Sequence, residues 1–73
     1  MSVYNLKIGE SGKISAVGID GAAGERLAAL GVVKGAEVTC LGFSFFKGSV
    51  LIAVGGNRIA LRKSMASRIE VQT

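Results

Sequence analysis

The sequence predicts a mainly β protein, a small and partly closed antiparallel barrel of about five strands with one short α-helix after the first strand. Three observations carry this expectation. The chain has 73 residues, 11 of them glycine and none proline, so it is divided into short segments by residues that tolerate turn geometry. Most segments are strand-length and rich in Val, Ile and Leu, several with apolar and polar residues alternating. Only one stretch, residues 22–30, is built from good helix formers.

Taken in order, residues 13–19 follow a Ser11-Gly12 turn signal and are rich in β-branched side chains, a first strand ending near Gly18 or Asp20. Residues 22–30 then place Ala23, Leu27 and Leu30 on one helical face, with Asp20 or Gly21 at the start. Gly31 supplies the stop: in a left-handed C′ position it makes Val32 the C″ residue, able to pack on Leu27 in a Schellman arrangement. After the Lys34-Gly35 turn, residues 36–43 form a strand with Val38 and Cys40 on one side and Glu37, Thr39 and Leu41 on the other. Residues 43–49 connect a hairpin, residues 49–54 are apolar on both faces like an interior strand, and Gly55-Gly56-Asn57 makes the next tight turn. Ile59 and Leu61 face inward against Arg58, Ala60 and Arg62, residues 63–67 make one helical turn, and a last strand repeats the alternation with Ile69 and Val71. Closure removes sheet edges economically in so short a chain, and an SH3-like barrel fits better than an OB-fold, whose helix usually falls between the third and fourth strands.

Composition bounds the rest. Seventy-three residues make one domain, 1–73, and 49% apolar content is ample for a core and argues against disorder. The lone Cys40 forms no internal disulfide and sits in an apolar stretch typical of a buried thiol. Lys7 and Glu10 interrupt any leader-like apolar run, and residues 50–54, among the longest hydrophobic stretches, are far short of the ~20 a membrane helix needs, so the expected localisation is cytoplasmic. The net charge is +4. Lys7, Lys13, Arg26 and Lys34 are balanced by Glu10, Asp20, Glu25 and Glu37. The surplus therefore lies in Lys47, Arg58, Arg62, Lys63 and Arg68, opposed only by Glu70.

Arg26-Leu27, Leu30-Gly31, Gly35, Val38, Gly56, the run Arg58-Ile59-Ala60-Leu61-Arg62, Ala66 and Ile69-Glu70-Val71 together resemble the FeoA pattern, in order and over nearly the whole chain. The resemblance implies an SH3-like barrel acting as a cytosolic accessory to FeoB, the membrane transporter that carries Fe(II) and bears a cytoplasmic GTP-binding domain. This sequence departs from the pattern at Lys34, where a proline commonly precedes the turn glycine. It departs again in the hairpin loop, where Gly-Asp-Pro is replaced by an aromatic and basic run from Phe43 to Gly48.

Read residue by residue, the chain points away from catalysis. Histidine is absent, Cys40 and the serines have no base partner in view, and the carboxylates are dispersed. One Cys and no His make a poor transition-metal site, and no cofactor is expected. Gly18, Gly21 and Gly24 lack P-loop spacing and its Lys-Ser or Lys-Thr, and read as turn residues. An arginine donated to a GTP site in trans, Arg26 or Arg62, competes with ordinary solvated arginine. Without Trp, and with only Tyr4, the aromatic groove for polyproline ligands is missing.

The informative feature is the loop. Phe45 and Phe46 are adjacent and cannot both point into the core, so at least one is expected at the surface. Beside Phe43 and Val32, and rimmed by Lys47, it forms a candidate partner-binding patch, set against a loop that simply folds back. Arg58 and Arg62 add a basic strand face, continued by Lys63. The expected partner is a FeoB-type transporter's cytoplasmic portion, and the Phe-rich loop leaves weak self-association open. The alternative is a nucleic-acid-binding barrel using the basic C-terminal half, although no aromatic stacking platform accompanies the arginines. FeoA-like domains also occur attached to metal-dependent repressors, but no DNA-binding helix pair precedes this one.

Overall fold

The computed structural model describes residues 1–73. Its elements are β1 (Ser11–Val17), α1 (Gly21–Ala29), β2 (Glu37–Phe43), β3 (Ser49–Val54), β4 (Asn57–Arg62), α2 (Lys63–Ala66) and β5 (Ile69–Gln72), with short 3-10 turns at Val3–Asn5 and Phe45–Lys47. All five strands belong to one antiparallel sheet in the order β4-β3-β2-β1-β5. The sheet curls without closing, which is the partly closed barrel the sequence predicts.

Curvature comes from two interruptions of register, between Ile14 and Ala16 where β1 meets β5 and between Cys40 and Gly42 where β2 meets β3. An extra residue bends a strand and increases its twist. Each strand then turns one row of side chains to the concave side: Ile14, Val38 with Cys40, Val50 with Ile52 and Val54, Leu61, and Ile69 with Val71 are all buried. Leu51, on the opposite row of β3, stays outside, so the strand is apolar on both faces but buried on one.

The N-terminal segment completes the core in a way the sequence pattern does not announce. Val3 and Leu6, around the first 3-10 turn, are fully buried, and the chain also runs beside β5, where Ser2 bridges Glu70 and the Val71 N–H donates to the Met1 carbonyl at 2.8 Å. That contact covers the outer edge of β5. The other edge strand, β4, carries Arg58 and Arg62, charged side chains of the kind that discourage edge-to-edge pairing.

Helix α1 touches the core more narrowly than its pattern suggests. Leu27 is its buried residue, Leu30 is half-buried and Ala23 is exposed, and the helix meets the β3–β4 hairpin through its C-terminal end. Gly24 is also not a turn residue: it lies inside α1, where a Cβ would collide with the Ile19 carbonyl. The helix terminus, by contrast, follows the Schellman arrangement. Gly31 takes φ +98°, its N–H donates to the Ala28 carbonyl at 3.0 Å, and the Val32 N–H donates to the Leu27 carbonyl at 2.9 Å.

This terminus is pinned to the β3–β4 hairpin. Gly55 and Gly56 form its two-residue loop with φ of 56° and 82°, the left-handed pair that matches strand twist in tight hairpins. A Cβ on Gly31 would stand 3.4 Å from the Gly55 Cα, so the two backbones meet with no side chain between them. Asn57 Nδ2 donates to the Leu30 carbonyl at 3.0 Å, satisfying an acceptor that the end of a helix leaves open.

Two stability effects follow. Gly31→Ala should cost at least ~1 kcal/mol, since a Cβ in the left-handed region is penalised by roughly 1–2 kcal/mol. Asn57→Ala should cost about 0.5–1.5 kcal/mol, the usual net worth of one hydrogen bond. Both are read from urea midpoints, and an unchanged midpoint for Gly31→Ala would contradict the helix terminus described here.

Candidate functional site

The loop from Phe43 to Ser49 is the most unusual surface of the molecule. The bulge at Leu41–Gly42 reverses the alternation of β2, so Phe43 pairs with inward-facing Val50 and turns toward the concave side. There its ring meets Tyr4 edge to face, with centroids 5.8 Å apart and planes at 82°. The Tyr4 hydroxyl in turn donates to the Lys47 carbonyl at 2.7 Å, tying the N-terminal segment to the loop.

The loop is closed from within. The Ser44 N–H donates to the Ser49 carbonyl at 3.0 Å, the Ser49 N–H to Ser44 Oγ at 2.9 Å, and the Lys47 N–H to the Ser44 carbonyl at 2.9 Å. Such a tight return forces two non-glycine residues into the left-handed region, Phe46 at φ 61° and Lys47 at φ 56°. For a bulky side chain that conformation is unusual and costs free energy. The cost is not recovered by burial, because Phe45 is 93% and Phe46 99% exposed. Their rings lie 6.2 Å apart and touch little else.

Cations surround this end of the barrel. Lys47 Nζ lies 5.3 Å from the centre of the Phe43 ring and Lys63 Nζ lies 5.4 Å from that of Tyr4, both within cation–π range. The Lys63 N–H donates to the Gly48 carbonyl at 3.0 Å, so α2 and the loop are joined. A surface groove of about 500 Å³ runs between the N-terminal segment and the loop, lined by Tyr4, Asn5, Leu6, Lys7, Ile8, Phe43 and Lys47.

Of the residues the sequence singled out, Phe43, Phe45, Phe46 and Lys47 are brought together here. Val32 is not among them. It is 2% exposed, because the hydrogen bond from its N–H to Leu27 turns it into the core beside the helix end. Gly31 packs on Gly55 at the far end of β3, and the six residues of that strand separate Val32 from the loop by roughly 17 Å. Val32 is therefore a core residue and is removed from the candidate surface.

Arg58 and Arg62 are both exposed on β4, opposite Ala53 and Ser49. Four residues of extended chain hold them roughly 13 Å apart. Arg62 stands at the loop end and Arg58 at the hairpin end. Between them Ala60 pairs with Leu51, and a shallow apolar groove of about 260 Å³ is lined by Leu51, Ala60, Gly42 and Phe43 among others. Neither arginine is ion-paired, since the one salt bridge joins the N-terminal ammonium to Glu70 at 3.5 Å. Reactive groups do not gather anywhere: no three His, Cys, Asp or Glu side chains converge, and the Cys40 thiol is buried among apolar neighbours. The exposed Ile8, with Lys7 beside it in the groove, went unnoticed in the sequence because its neighbours come from β2 and the loop.

The family model for the FeoA domain matches residues 1–73. The chain belongs to the FeoA family. That family is associated with ferrous iron transport, and solved members share the fold. FeoA of Stenotrophomonas maltophilia, a procaryotic SH3 domain protein solved in complex with zinc, is 34% identical, with 99% of this chain and 89% of that one aligned at a TM-score of 0.83. FeoA of Chlorobium tepidum is 28% identical with a TM-score of 0.92, over 99% of this chain and 69% of its own. The iron(II) transport protein A of Clostridium thermocellum is 28% identical with a TM-score of 0.90, and this chain, 99% covered, spans 44% of its length. No curated protein matches in sequence. The SH3-like barrel of the sequence reading is thus the fold of this FeoA-family chain. No helix is long and apolar enough to cross a membrane.

Because the Phe46 ring is outside the packed structure, Phe46→Gly should leave stability unchanged or raise it by up to ~1 kcal/mol, relief of the left-handed cost being partly offset by the greater freedom of glycine in the unfolded chain. A calorimetric scan showing marked destabilisation would mean that the ring is packed in solution.

Proposed function

We propose that this chain is a cytoplasmic, non-catalytic accessory protein of ferrous iron uptake that binds a FeoB-type transporter and modulates its assembly or its GTP-linked transport. The observation that carries this reading is the pair of fully exposed phenylalanines on a left-handed loop, since exposed aromatic side chains rimmed by cations are how association surfaces look. Family membership supplies the process, and the lack of converging reactive groups directs attention to surface contacts.

The surface has two parts in this reading. The loop bearing Phe43, Phe45, Phe46 and Lys47 is the point of attachment at the membrane-embedded assembly. The β4 face bearing Arg58 and Arg62, free of ion pairs, meets acidic groups on the transporter's cytoplasmic portion, where unpaired arginines contribute both orientation and encounter rate.

The test combines the full chain with detergent-solubilised full-length transporter and, separately, with its GTP-binding portion, following association and GTP hydrolysis together. Association is expected with at least one of them, weakened ~10-fold or more when Arg58→Glu and Arg62→Glu are combined, since reversing two charges opposes a complementary surface. Absence of association with both preparations sinks the proposal.

A further inference from the structure

The loop end of the barrel has a chemical character that narrows what it attaches to. Its apolar groups are not arranged as a pocket or a flat patch but project singly into water: Phe45 and Phe46 from the loop and Ile8, 68% exposed, from the adjoining groove. Its charges are almost all of one sign. Residues 4–10, 43–48 and 62–64 build this end, and they contribute Lys7, Lys47, Arg62 and Lys63 against a single carboxylate, Glu10. That carboxylate is partly engaged already, accepting the Lys7 N–H at 2.9 Å through Oε1.

Aromatic rings that protrude ahead of a ring of cations match a bilayer interface better than a protein surface. A protein contact of standard size wants a complementary pocket for each anchor and a broad buried area around it. A lipid interface wants only apolar tips that reach below the headgroups and cations that remain at headgroup level, and long lysine side chains are suited to the latter. The left-handed backbone at Phe46 and Lys47, fastened by the Ser44–Ser49 hydrogen bonds, presents both rings from a fixed base, so little ordering is required on contact. Tyr4 and Phe43 behind them steady the base, with Lys47 and Lys63 laid over their rings.

We infer that the Phe45–Phe46 loop, with Ile8, Lys7, Lys47 and Lys63 around it, is a peripheral attachment site for a bilayer rich in anionic headgroups. The inference rests on the proposed function in taking the loop as the point of attachment, and it names what is met there: lipid, leaving the Arg58 face for protein. Charge complementarity selects the anionic surface, each cation near such a surface adding to the attraction within about a Debye length.

The experiment uses the full chain without any transporter. Co-sedimentation is measured with phosphatidylcholine vesicles with and without phosphatidylglycerol, at low and high salt. Expected are binding to the phosphatidylglycerol vesicles, its loss in high salt, and none to phosphatidylcholine alone. Phe45→Ser combined with Phe46→Ser should weaken it ~10-fold or more, and Lys7→Gln combined with Lys63→Gln by ~10- to 30-fold. Because the chain has no tryptophan, Phe46→Trp makes position 46 the sole indole reporter, and its emission should shift to the blue on anionic vesicles. Retained folding of the variants is checked by circular dichroism. Failure to bind anionic vesicles overturns the inference, as does binding untouched by the double Phe substitution, which would be surface charge without insertion. So does loss of detergent-solubilised transporter binding in that variant with vesicle binding intact, which makes the loop a protein contact. A chain that binds transporter through the arginine face but no vesicle leaves the proposed function standing and this inference fallen. The converse result separates them the other way.

Discussion

One curled sheet must shelter the whole core, and the rest of the molecule follows from that demand. The two helices, of nine and four residues, make no second layer large enough to cover a flat sheet, and the five strands bend until their inner rows face one another. The two register interruptions supply the bend. What remains open at the ends is stopped by small pieces: Leu27 of α1 and Ala66 of α2, with Val3 and Leu6 from the N-terminal segment. The helical plugs are anchored by hydrogen bonds to backbone carbonyls, from Asn57 Nδ2 to Leu30 and from the Lys63 N–H to Gly48.

A core made this way leaves no interior for chemistry. Apart from Gly12, every buried position is taken by an apolar side chain except Ser2, whose hydroxyl is bonded to Asn5, and no buried polar side-chain atom is left without a partner. The candidate surfaces lie on the outside, where two of different kinds adjoin. The β4 face is regular, its arginines spaced by the strand repeat on either side of Ala60. The loop end is irregular, assembled from three separate segments and held in an unfavourable backbone conformation with both rings exposed. Left-handed geometry at a bulky residue is not what folding alone selects, and its presence at the most exposed point of the chain is what makes the loop an attachment device in the reading given above.

The Stenotrophomonas and Chlorobium proteins share the barrel at 34% and 28% identity, so the barrel tolerates wide exchange of side chains. A loop that contributes Phe43 to the core and nothing else is free to carry a surface suited to one setting.

Local chemistry was legible from the residues by themselves. The strand alternation of 58–62, the tight turn at Gly55-Gly56, the helix stop at Gly31 with its Schellman bonds, and the impossibility of burying both Phe45 and Phe46 all rest on interactions within a few residues, which periodicity and turn preference report directly. Tertiary structure alone decided the fate of Val32, Ala23 and the N-terminal segment. The Schellman stop already set Val32 against Leu27, but only the curl of the sheet carries that helix end to the opposite end of β3 from the aromatic loop. Ala23 kept the correct helical spacing yet stayed in water, since an amphipathic pattern says which face is apolar and not whether anything covers it. Val3 and Leu6 show no strand or helix period, and their burial depends on strands that arrive much later in the chain. The convergence of Ile8, Lys7, Lys47 and Lys63 has the same origin: long-range proximity is set by how the sheet curls, a property of all five strands together and of no single segment.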